Sequence, residues 1–73
     1  MLDTNKTIQE NARENADTFE YLFNLQNSGR TNMFGAAQYM VKDLMFKPNV
    51  AKEYLIYWMQ NCEEIAKELD IEF

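Results

Sequence analysis

The chain contains no histidine and a single cysteine, Cys62, among its 73 residues. An intramolecular disulfide is therefore impossible, and a structural zinc site lacks its ligands. Nucleophilic catalysis assisted by histidine is excluded too, because nothing is present to activate Cys62, Ser28 or Thr31. One proline and two glycines leave few points at which a helix is forced to stop. The longest apolar run, Tyr54 to Met59, is six residues, far short of the roughly 20 needed to cross a bilayer. The opening residues MLDTNKTIQEN have neither a basic nor an apolar region of the kind found in a secretory signal. Positive charge is scarce: seven Lys and Arg stand against twelve Asp and Glu, a net charge of −5. That balance disfavours nonspecific attraction to nucleic acid or anionic lipid. With its lone thiol, the chain is expected to be intracellular and cytoplasmic, with no membrane association.

What is abundant is packing material. Ten aromatics and five methionines suit a small core, since aromatics bury large areas and methionine fills irregular gaps. At this length one core is only just sufficient, so the whole chain, residues 1–73, is read as a single helical domain. The charge is also unevenly placed. Residues 1–29 balance at −3, residues 30–52 at +3 and residues 53–73 at −5. Solvated helix faces explain such a pattern most simply.

The apolar spacing predicts an all-α fold, a three-helix bundle with helices over about 5–27, 33–45 and 50–69. The first and third are long. In the first, Ile8, Ala12, Ala16, Phe19, Leu22 and Phe23 share one face, with a cap at Asp3 or Thr4 and a stop at Ser28-Gly29. Asn5, Asn11 and Asn15 lower the intrinsic helicity of its first half, which therefore needs tertiary support. In the second, Met33, Ala37, Met40, Val41 and Leu44 form the stripe, with Thr31 or Asn32 as cap and Gly35 in the first turn. Lys47-Pro48 ends that helix, and Asn49 is placed to cap the third. There Ala51, Leu55, Trp58, Cys62, Ile65 and Leu69 recur at helical spacing, and Glu63 with Lys67 forms an outward pair. Helices of about 30 Å exceed the size of a compact domain this short, so the long ones are expected to protrude and invite pairing.

The second and third predicted helices have the outline of a helix-turn-helix. The residues that would meet nucleic acid are Lys47, Asn49 and Lys52. The neighbouring Glu53 and Ile56 are poor groove contacts, and no arginine is present to read guanine. A second signal comes from apolar residues off the stripes. Ile56 lies roughly 140° from the centre of the third helix's buried face, and Tyr57 roughly 120°. Tyr21 and Leu25 are similarly displaced on the first helix and neighbour one another. Tyrosine and large aliphatics ringed by charge are the composition of a protein interface, so Tyr21, Leu25, Ile56 and Tyr57 are the candidate contacts. Glu64 and Glu68 share a face but lack the ligand count of a cation site. No cofactor, metal or enzymatic activity is expected.

The residues Tyr21-Leu22, Leu25, Ser28-Gly29, Thr31-Asn32-Met33-Phe34-Gly35-Ala36, Tyr39-Met40, Ala51, Leu55 and Trp58-Met59 resemble a small uncharacterised helical domain recurring in bacteriophage and phage-derived sequences. The TNMFGA block is its most specific part, and the resemblance spans about 40 of the 73 residues. It implies a viral origin and a location in the host-cell cytoplasm. It carries over no functional residues. The expected role is binding another protein, either a host target, a virion component or a second copy. The alternatives are a helix-turn-helix DNA-binding regulator and an acidic inhibitor of a nucleic-acid-binding enzyme.

Overall fold

The computed structural model describes residues 2–29 and 35–71. Among the described residues four α-helices are formed: α1 (Ile8–Glu14), α2 (Ala16–Ser28), α3 (Ala36–Leu44) and α4 (Pro48–Leu69). No strand occurs among the described residues. α4 is the spine, and α1, α2 and α3 all pack against it. Where the sequence predicts one first helix, the structure has two, joined at Asn15.

The break has a local cause. Asn15 takes φ −119° and ψ 30°, outside the helical region. Its side-chain Nδ2 donates to the Asn11 carbonyl at 2.9 Å, the local competition that disfavours asparagine within helices. The backbone bonds from Asn15 N to Asn11 O (3.0 Å) and from Phe19 N to Asn15 O (3.1 Å) persist, so the chain bends without opening a loop. The start also moves. Thr7 caps α1 through a reciprocal capping box with Glu10, while Asp3 folds residues 3–6 into a turn by accepting from Asn5 N (2.9 Å) and Lys6 N.

The helix ends near Gly29, Leu44 and Leu69 fall where the sequence signals put them, while α4 starts earlier than predicted and with a different cap. Gly29 ends α2 in the left-handed region at φ 69°. Nothing lies within 4 Å of where a Cβ would stand, so glycine serves the dihedral there and not space. α4 begins at Pro48, whose missing N–H is harmless at the first helical position. Its N-cap is the extended Lys47, which puts Asn49 inside the first turn. Gly35 precedes α3 with φ −89°, a conformation open to any residue. Thr31, Asn32 and Met33 lie outside the described residues.

The core joins Ala12, Phe19, Leu22, Phe23 and Leu25 to Ala36, Met40, Ala51, Tyr54, Leu55, Trp58, Ile65 and Ala66. Phe19 sits between Tyr54 (edge-on, 6.0 Å) and Tyr57 (stacked, 6.1 Å), and Phe23 meets Trp58 edge-on at 5.2 Å. The Trp58 indole N–H has no partner among the described residues, so that ring contributes through packing. The long helices do not protrude. The radius of gyration is 11.3 Å and the extents are 27 × 25 × 18 Å, because the bend at Asn15 folds the first helical segment onto α4.

One residue is out of character. Met45 ends α3 at φ 60° and is 86% exposed, a left-handed conformation that costs a residue with a Cβ roughly 1–2 kcal/mol. Met45→Gly is expected to raise stability by about 0.5–1 kcal/mol after glycine's own entropy cost. An unchanged denaturant midpoint would mean that the surrounding turn relieves the strain.

Candidate interaction surface

Two asparagines on the first helical segment organise the contact with α4. Asn11, 1% exposed, uses both amide donors and its carbonyl. Nδ2 donates to the Asp3 carbonyl at 2.8 Å and to the Tyr57 hydroxyl at 3.1 Å. Its Oδ1 accepts from the Asp3 N–H at 3.0 Å. Asn15, also buried, accepts from the Tyr54 hydroxyl at 2.7 Å. Burial pushes the Tyr54 phenol above its ordinary pKa, with Glu53 adding to the effect. These bonds satisfy polar groups that would be costly to bury alone. They also fix the register of α1 against α4.

Around this contact the charges are peripheral. Lys6 bonds both carboxylate oxygens of Glu14 at 2.6 and 2.7 Å, which raises the Lys6 pKa. Glu10 is held below its usual value by the Thr7 backbone N–H and then the Thr7 hydroxyl. Arg13 reaches Glu68 on α4 at 3.6 Å, so Glu68 is turned to a cation of its own chain, and no acidic cluster able to hold a metal occurs among the described residues. Glu63 and Lys67 do not close the predicted pair among the described residues. An exposed pair at this spacing gains only a few tenths of a kcal/mol, too little to hold two long side chains together.

The four predicted contact residues separate. Leu25 is 5% exposed and belongs to the core with Leu22 and Phe23 of the same helix. Tyr21 is half-buried, and its hydroxyl donates to Asp43 on α3 at 2.6 Å. Tyr57 is half-buried under the N-terminal turn, held by Asn11 and stacked on Phe19. Only Ile56 stands out as predicted, at 45% exposure. Tyr21 and Leu25 line one groove with Asp43, while Ile56 borders two others. On one side lie Leu2, Asp3, Glu53 and Tyr57. On the other lie Ala37, Pro48, Lys52, Leu55 and Met59.

The residue missed by sequence reasoning is Met59, 41% exposed. It is three positions from Ile56, so the two side chains neighbour one another on α4. That spacing was legible in the sequence. Met59's exposure was not, since it depends on what packs beside α4. Isolated exposed apolar groups are ordinary, but Ile56 and Met59 form one contiguous patch along a groove. The groove on the α3 side encloses about 460 Å³, within the size range of ligand pockets. It is open, however, and lacks the converging polar groups that orient a small molecule.

The predicted nucleic-acid contacts Lys47, Asn49 and Lys52 are all exposed. Asn49 and Lys52 are three residues apart in the first turns of α4 and share a side. Lys47 precedes the helix in extended conformation. No helix among the described residues is long and apolar enough to cross a membrane. No family model matches this chain, and neither a curated protein nor a solved structure matches it.

Proposed function

We propose that this chain is a non-enzymatic protein-binding module of bacteriophage origin, acting in the host cell. Its binding face is the outer side of α4 centred on Ile56 and Met59. The observation that carries the reading is the exposed apolar pair, 45% and 41% exposed, on a helix whose opposite side is fully engaged in the core. A large aliphatic and a methionine bordered by Lys52, Glu53 and Gln60 have the composition of an interface centre with a polar rim. Methionine adapts to the contour of a partner.

The test is a photo-crosslinking residue placed at Met59, compared with the same residue at the exposed Asp17 on α2. A discrete protein adduct is expected from position 59 and not from 17, and Ile56→Asp is expected to abolish it while leaving the helical circular dichroism unchanged. Equal labelling from both positions, or none, would sink the reading. A DNA shift at low salt that is lost on Lys47→Glu or Lys52→Glu would favour the helix-turn-helix reading instead.

A further inference from the structure

The α4 patch continues as a charged stripe. Lys52, Ile56, Met59 and Glu63 follow one another at spacings of four, three and four residues, the spacing of one face of a straight helix. All four are exposed. α4 kinks at Asn61 (φ −128°, ψ 21°), between Met59 and Glu63, so the acidic end of the stripe lies past the kink. Among the described residues neither Lys52 nor Glu63 has an ion-pair partner.

The order of the stripe is its own complement when reversed. Cation, apolar, apolar, anion read from one end meets anion, apolar, apolar, cation read from the other. Building on the protein-binding reading above, we infer that the partner of this face is a second copy of the chain. The two α4 helices pack antiparallel about a two-fold axis between Ile56 and Met59. Ile56 of each copy then meets Met59 of the other, and Lys52 of each meets Glu63 of the other. Such an isologous contact is closed and self-limiting.

Charge selects the orientation. A parallel pairing in the same register sets Lys52 against Lys52 and Glu63 against Glu63, which is repulsive at both ends. The antiparallel one is attractive at both. The four-three-four spacing is that of a helix-pairing seam, and Ala37 beside it in the groove leaves room for the approaching helix. The seam runs about 16 Å along α4. That is small for a permanent dimer and places the contact at the transient end of interface sizes.

Sedimentation of the full chain from micromolar to millimolar concentration tests this. A monomer–dimer equilibrium is expected for the wild type. Ile56→Asp is expected to be monomeric throughout. Lys52→Glu and Glu63→Lys are each expected to weaken the dimer about tenfold at low salt, since each turns two attractive pairs repulsive. An equimolar mixture of the two single variants, and the double variant alone, should both recover wild-type association. A wild-type chain that stays monomeric over the whole range overturns the second copy as partner. The Met59 crosslink to another protein would then still support the broader reading. Single variants that weaken association with no recovery in the mixture overturn the antiparallel register.

Discussion

Phe19→Ala is expected to cost about 3–5 kcal/mol and to leave the chain largely unfolded at ambient temperature. Phe19 is wholly buried and touches both Tyr54 and Tyr57. Its removal takes away one of the two rings, with Phe23, that bind α2 to the middle of α4 among the described residues. It also undermines the two hydroxyls that hold Asn11 and Asn15. A domain of this length has a total stability of only about 4–11 kcal/mol, so the loss consumes a large share of it. Phe19→Leu, which keeps most of the volume, is expected to cost well under half as much. Circular dichroism through a urea titration distinguishes the two. A cooperative transition for Phe19→Ala at the wild-type midpoint would show that the core closes without that ring.

The second large effect is expected at Asn11. Asn11→Ala removes three hydrogen bonds, at about 0.5–1.5 kcal/mol each, for a loss of about 2–4 kcal/mol. It leaves the backbone of Asp3 without its side-chain partners. The N-terminal turn is then held by its apolar contact and the exposed Lys6–Glu14 pair, which is worth little in water, and is expected to detach, uncovering Tyr57. Hydrogen exchange reads this directly, because the Asp3 amide should lose protection while amides in the middle of α4 keep theirs. Asn11→Asp separates the roles: it retains an acceptor for the Asp3 N–H but no donor for the Asp3 carbonyl or the Tyr57 hydroxyl. Equal exchange at Asp3 in wild type and Asn11→Ala would mean that the turn is anchored elsewhere. Detachment has a functional corollary, since the groove that Leu2 and Tyr57 share with Ile56 would open beside the proposed binding face.

Much of the local architecture was legible in the sequence. Ser28-Gly29 marked the end of the second helical segment, Lys47-Pro48 the break before the last helix, and the periodicity of Ala51, Leu55, Trp58 and Ile65 its buried face. These signals are local: a dihedral only glycine tolerates easily, a missing N–H, a repeat at helical spacing. Ile56 was legible for the same reason, as an apolar residue opposite a well-defined stripe. The break at Asn15 was not. Asn15 and Asn11 lower helix propensity wherever they sit, and the sequence alone could not distinguish a weak helix from a bent one. The local bond from Asn15 to the Asn11 carbonyl permits the bend, and Tyr54 and Tyr57, 39 and 46 residues away in sequence, hold it by supplying buried partners for those two side chains.

Tertiary packing redistributed the candidate site. Leu25 lies in the core, Tyr57 lies under the N-terminal turn and Tyr21 bonds Asp43 on α3. Met59, which had no distinguishing local signal, emerged beside Ile56. The sequence by itself determined the all-helical class, where α2, α3 and α4 end and the order of residues along the outer stripe of α4, because each depends on neighbours within about one turn. Only the tertiary structure decided which apolar residues face water, because burial is a property of what packs opposite. For this chain what packs opposite was set by two asparagines meeting two tyrosines across the fold.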